Sequence, residues 1–277
     1  MSFDSVVFAG GGNRCFWQAG FWHTYTKERA LFPKTVASVS AGAAISNSLF
    51  SGNFDKVLEN TVAVQEKNQK NRYWKNLIGS ESVHPHSKLY REIIYQSIDE
   101  AGMQSIVNGP LNRMLVAHIP GWLGPRSATI VGLSAYQLEK KLKQRVHPVF
   151  GRKLGFRSEF IETSTLKTVE QLADAILSSS CTPPFTPLMF RENKPVLDGG
   201  MVDNVPVHGI EAENTNTLVL LSRPYKQLPE IAGRTYVQPL KPVPVSSWDY
   251  TNPQAVLATY EQGKQDAYYY LKLLNRM

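Results

Sequence analysis

Ala37-Ser38-Val39-Ser40-Ala41-Gly42-Ala43 follows a short apolar piece around Val36 and precedes Ala44 to Phe50, which can run as a helix. A serine between small residues at a strand-to-helix turn has the local pattern of a nucleophile elbow. The turn is sharp, and only small side chains let the backbone pass close beneath the hydroxyl. The form is Ser-x-Ser-x-Gly, with Ser38 where Gly-x-Ser-x-Gly has its first glycine. Clusters of serine, alanine and glycine also occur in plain loops and tight helix packing, so the rest of the chain must decide.

Upstream, Ser5 to Ala9 reads as a buried strand and Gly10-Gly11-Gly12 as a turn, with helical spacing from Cys15 to Arg29. Phe54 to about Lys67 reads as a polar helix. Residues 68–86 have no clear period; they carry Lys70, Arg72, Tyr73, Trp74 and Lys75, a basic and aromatic insertion suited to a lipid surface or to a packed loop. Ser87 to Glu100 reads as a helix, and Met114 to Ile119 as a strand ending near His118. Ala128 to Leu133 reads as a second strand or a local loop, followed by a helix from Ser134 or Ala135 toward Arg145. Glu159 to Thr163 is a strand. Thr168-Val169-Glu170-Gln171 has capping-box form and starts a helix that Pro183-Pro184 excludes from continuing. Lys194 to Leu197, Thr217 to Leu221 and Thr235 to Gln238 are strands, and a helix over 253–275 starts with Pro253 in its first turn. Strands and helices alternate throughout, which predicts an α/β fold with a largely parallel sheet covered on both faces, in one domain over 1–277.

Composition narrows the classes. Of 277 residues, 42% are hydrophobic and 19% charged, an ordinary globular balance. Cys15 and Cys181 form neither a disulfide framework nor a metal cluster, which suits a reducing, cytoplasmic setting. The start at Met1 lacks the form of a secretory signal, and no apolar run is long enough for a membrane span. The net charge of +7 is concentrated in residues 61–160, where fifteen Lys and Arg face seven Asp and Glu. That excess favours anionic partners such as acidic head groups, phosphate esters or nucleic acid.

Three uses are open to Gly10-Gly11-Gly12-Asn13-Arg14: a phosphate cradle, an oxyanion hole or a tight turn. Dinucleotide binding wants a glycine where Cys15 stands, and a P-loop wants a Gly-Lys-Ser/Thr sequel that is absent. A serine after the very next strand favours the oxyanion reading. None of His23, His84, His86, His118, His147 and His208 sits at an obvious strand end behind a turn. Asp198-Gly199-Gly200 follows a short strand. On local grounds it is a hairpin turn; as a base toward a serine, its carboxyl would need a desolvated site that raises its basicity.

Taken together, Gly10 to Arg14, Ser38 to Gly42, the small-residue and proline segment Leu177 to Pro187, Asp198-Gly199-Gly200 and Asp203-Asn204-Val205-Pro206 resemble, in order and spacing, the patatin-like phospholipases. The resemblance covers about residues 5–222 and is weak from 55 to 155. It implies a three-layer α/β/α fold and hydrolysis of lipid acyl esters, phospholipase A or lysophospholipase in type. It implies Ser40 as nucleophile, Asp198 as base, and an oxyanion hole from the N–H groups of Gly11 and Gly12 with Asn13 and Arg14. Gly42, Gly199 and Gly200 support the turns. No cofactor or metal is implied; the partners are phospholipid or lysophospholipid and a membrane surface, with no nucleic acid. Ser38 and Cys15 depart from the family's glycines, which leaves open a re-aimed elbow with reduced activity or altered substrate choice, or a silent lipid-binding homologue; acyl transfer to an alcohol, which shares the acyl-enzyme, is a further alternative. Phosphate or nucleotide binding through Gly10–Arg14 is the alternative of a different class.

Overall fold

A computed structural model describes residues 3–78, 82–124, 127–132, 134, 146–147, 150–210 and 216–274. Its centre is β1 (Ser5–Phe8), a four-residue strand buried along its length. β1 pairs in parallel with β2 (Thr35–Val39) on one side and β7 (Thr217–Leu220) on the other, and β8 (Arg234–Val237) extends the parallel set beyond β7. β3 (Leu111–His118) is parallel to β2, whereas β4 (Arg157–Glu162), β5 (Met189–Arg191) and β6 (Lys194–Asp198) join antiparallel. The sheet is therefore mixed and mostly parallel, flanked by helices, as the alternating sequence predicts.

One register decides where the site forms. β4 pairs with Arg113 to His118 and so occupies one edge of β3. On the remaining edge, β2 runs up to the pair Val39–Leu115. β6 comes the opposite way along the same edge and stops at the pair Asp198–Val116. The C-terminal ends of β2 and β6 thus meet head to head.

The helices follow from burial patterns. α1 (Phe16–Glu28) is buried on nearly every side because it lies between the sheet and α7 (Pro253–Leu274). The two helices approach backbone to backbone. A Cβ on Gly20 would stand 1.9 Å from Tyr260 O, and one on Gly263 would stand 2.1 Å from Trp17 O. Trp17 Nε1 donates to Asp266 Oδ2 at 2.8 Å across the same crossing. Gln18, fully buried, donates from Nε2 to Ala9 O and Leu220 O and so satisfies carbonyls where β1 and β7 end. α2 (Ala41–Phe50) and α3 (Phe54–Lys67) follow β2. α6 (Val169–Ser179) starts at Thr168, whose Oγ1 accepts from Gln171 N, while the Gln171 side chain accepts from Lys167 N.

Several expectations are corrected. The helix expected over Ser87 to Glu100 is two helices, α4 (His86–Ser97) and α5 (Glu100–Asn108). Asp99 divides them, because its carboxylate accepts from Gly102 N and caps a new helix. Of residues 128–133, read as strand or loop, 128–132 are helical and Leu133 lies outside the described residues. The helix expected from 134 to 145 falls largely outside the described residues. No helix among the described residues is long and apolar enough to cross a membrane.

The Gly20–Gly263 crossing leaves no room for a methyl group. Gly263→Ala should destabilise the fold by about 3 kcal/mol or more, and a drop in melting temperature of roughly 5–10 °C by calorimetry checks it.

Candidate active site

Ser40 sits between the last residue of β2 and the first of α2, with φ 54° and ψ −134°. A non-glycine residue at positive φ costs on the order of 1–3 kcal/mol, and such strain persists only where the surroundings enforce it. Three contacts do so. Ser40 N donates to Ser179 Oγ at 2.9 Å, and Ser179 Oγ donates onward to Leu115 O at 2.7 Å. A Cβ on Gly42 would lie 2.5 Å from Phe8 O and 2.6 Å from Ala9 O, so only glycine lets α2 start this close to β1. Asp198 supplies the third, from the end of β6.

Ser40 Oγ donates to Asp198 Oδ2 at 2.6 Å. The other carboxylate oxygen, Oδ1, accepts from Gly200 N at 2.7 Å, and Thr182 Oγ1 lies 3.4 Å from Oδ2. Asp-Gly-Gly is therefore no hairpin turn. Gly199–Met201 is a single 3-10 turn capped by Asp198, and a Cβ on Gly199 would sit 2.2 Å from Leu115 O. Burial pushes the Asp198 pKa up to about 6, against the lowering pull of Ser40, Gly200 and Thr182. Among the described residues, no histidine contacts the Ser40 hydroxyl.

The glycine loop lies alongside. A Cβ on Gly10 would be 3.2 Å from Ser40 Cβ. Gly12 has φ +60°, and a Cβ there would strike Ser247 O at 2.1 Å. Gly10 N donates to Asn204 O, and Gly10 O accepts from Asn204 Nδ2 and Ser222 Oγ. Among the described residues, the N–H groups of Gly11 and Gly12 have no acceptor. The expectation for Asn13 changes, since its N–H donates to Ser247 O at 3.1 Å and its Nδ2 to Asp249 O at 2.5 Å. Arg14 Nε donates to Gly11 O at 3.1 Å. Asn13 and Arg14 thus brace the loop.

The two departures from glycine are absorbed. Ser38 keeps regular strand pairing, and its buried hydroxyl donates to Asn112 Oδ1 at 2.8 Å, while Asn112 Nδ2 donates to Ser46 Oγ. The network joins β2, β3 and α2 beneath the elbow. Cys15 is fully buried, its thiol donates to Ala9 O, and burial pushes its pKa up to about 12. A thiol so protonated is a space-filling group.

The outer support was only partly legible in the sequence. Ser179 and Thr182, which touch Ser40 and Asp198, lie in the Leu177 to Pro187 segment singled out there without a role, whereas Ser247, which braces the glycine loop, carries no local signal. The 68–86 segment is tied to the 245–250 loop by Asn68 Nδ2 to Tyr250 O and Asn71 Nδ2 to Asp249 Oδ1. Phe185 stacks on Trp248, their ring centroids 4.8 Å apart, beside the rings of His84 and His86. Burial holds both histidines below the ordinary imidazole pKa. Among the described residues, no group of three or more His, Cys, Asp or Glu side chains is placed to hold a metal ion.

The raised pKa makes the Asp198 charge a cost to the fold. Because the folded value lies above the unfolded one, that cost is absent below the ordinary carboxylate range and complete above about pH 6. Asp198→Asn should therefore melt above the wild type at pH 8, and the gap should close as pH falls toward 4. Paired thermal melts across that range test it.

No curated protein sequence matches the chain. Its structure is similar to the crystal structure of VipD from Legionella pneumophila, with a TM-score of 0.52 at 12% identity, over 98% of this chain and 67% of that one. That likeness is one of fold. The sequence model described as patatin-like phospholipase matches residues 6–210, from β1 through the elbow and Asp198 to the Asn204-Val205-Pro206 sequel. The chain belongs to the patatin-like phospholipase family.

Proposed function

We propose that the protein is a serine lipid acyl hydrolase that cleaves carboxylic esters of phospholipids or lysophospholipids through Ser40 and Asp198. The observation that carries this reading is the 2.6 Å hydrogen bond from a strained, helix-capping serine to a carboxylate whose pKa is about 6. A carboxylate of ordinary pKa is a weak base; one raised toward neutrality is better matched to taking a hydroxyl proton near pH 7.

In the proposed cycle, Ser40 Oγ attacks the ester carbonyl carbon as its proton passes to Asp198. The tetrahedral oxyanion is met by the N–H groups of Gly11 and Gly12, each lowering the barrier by about 3 kcal/mol. The C–O bond to the leaving alcohol breaks, and Asp198 returns its proton to that oxygen. Water then attacks the acyl-enzyme, with Asp198 as base again, and releases the acid and free Ser40. The glycines beneath the loop serve this chemistry by bringing the donors close, because a side chain at Gly12 would push the loop off Ser247.

The same reading places the protein at a lipid surface in a reducing compartment. Exposed Trp74 and Leu77 on the basic insertion, with Arg72 over the Trp74 ring, support surface contact. The two buried free thiols support the compartment.

Ser40→Ala should lose at least a thousandfold in kcat/KM on p-nitrophenyl esters while keeping the wild-type melting curve, and wild type alone should react with a fluorophosphonate probe. Retained turnover in Ser40→Ala would sink the assignment. The rate should also fall about tenfold per pH unit below about 6, as Asp198 takes up its proton.

A further inference from the structure

An apolar cavity of about 520 Å³, its open mouth included, begins beside the dyad and runs inward between α2, α3 and α4. At one end it is lined by Gly12 of the glycine loop and Ala41, the residue after Ser40. Along α2 its wall is Ala44, Ile45 and Ser48, and along α4 it is Tyr90, Ile93 and Ile94. Positions three and four apart on each helix share a face, so both helices present one stripe to the space between them.

The two ends differ. Gly12, Ala41, Ala44 and Tyr90 are half-buried, and the Tyr90 hydroxyl lies toward Ser180 and Asp198. Thr61, Ser97 and Ile98 at the other end are 2%, 3% and 3% exposed. A Cβ on Gly102 would touch both Ser51 and Ile98, so the C-terminal end of α2 and the end of α4 converge there. The cavity is therefore open at the dyad and closed in the core, with Ile98 and Val57 in its floor.

Resting on the hydrolase reading above, we propose that this slot holds the acyl chain of the ester, and that its floor limits the chain to medium length. From Ala41 to Ser48 the helix advances on the order of 10 Å, which matches an extended chain of about eight carbons measured from a carbonyl at the glycine loop. The wall is mostly apolar over that length, so each methylene that enters should raise kcat/KM by up to about fourfold, and methylenes beyond the floor should add nothing or reduce it. Ile45 of α2 and Ile94 of α4 both line it, and the slot so walled takes one chain. A second acyl chain of a diacyl lipid stays outside, at the mouth.

The test uses the full chain and p-nitrophenyl esters from acetate to palmitate. Wild-type kcat/KM should climb to a maximum near octanoate and fall toward palmitate. Ala44→Leu, which narrows the slot with a good helix former, should lower the octanoate-to-acetate ratio at least tenfold. Ile98→Ala, which opens the floor, should move the maximum two to four carbons longer. A ratio unchanged in Ala44→Leu together with an unmoved maximum in Ile98→Ala would overturn the slot. Calorimetric binding of octanoate and palmitate to Ser40→Ala separates the slot from the chemistry. Octanoate bound more tightly than palmitate, with that binding weakened by adding Ala44→Leu, supports the slot even where no ester is turned over, in which case the hydrolase reading alone fails. Equal binding of both acids, or binding indifferent to Ala44→Leu, rejects it.

Discussion

One edge of β3 is shared by two strands of opposite sense, and the site exists because of it. β2 uses that edge as far as Leu115 and β6 uses it from Val116 onward. Hydrogen-bond registers fix strand ends to within a residue, since a slip of one position turns every side chain to the other face. The ends of β2 and β6 are thus held against each other by main-chain pairing, and the first side chains past the join are Ser40 and the last of β6, Asp198. A flexible pair of loops would have to order both groups at an entropic cost for each residue. Here the sheet has already met that cost.

The elbow depends on the same join. Leu115 O, at the junction, receives the hydroxyl of Ser179, which in turn receives the N–H of Ser40. Gly199 turns away at the same carbonyl. The strained backbone of Ser40 is therefore held by bonds that radiate from one point in the sheet. Mutations there would act on Ser40, Asp198 and the turn together, and their effects would not add as independent sites do.

Much of this was legible in the sequence. The helices over Phe16–Glu28, Phe54–Lys67 and Pro253–Leu274 and the buried strands β1 and β7 stand out by period and by continuous apolar runs. Thr168 signalled the start of α6 because a cap is a local interaction. What was hidden is non-local. The antiparallel sense of β6 depends on which edge is free, and nothing in Lys194 to Asp198 records it. The brace of the glycine loop by Ser247 links residues far apart in the chain, and Asn13 looks the same whether its N–H faces a substrate or another carbonyl. Residues 128–132 misled because a short apolar run fits strand and helix equally. The shared edge, the orphan N–H groups and the slot all emerge only when the chain is folded.

The crossing of α1 and α7 has a consequence for how the molecule is made. α1 is sealed by α7, far along the sequence, with glycine meeting backbone at Gly20 and Gly263. The central strand β1 likewise waits for β7 before both its edges are paired. During synthesis the early segments must therefore stay open until β7 and α7 have left the ribosome. Contacts of such long sequence separation fold slowly. In compensation, the glycine loop cannot be braced by Ser247 before the 245–250 loop arrives. Under the proposed chemistry, a nascent chain that stops short of Ser247 carries a serine and an aspartate but no finished machinery, so lipid cleavage begins only after that loop is in place.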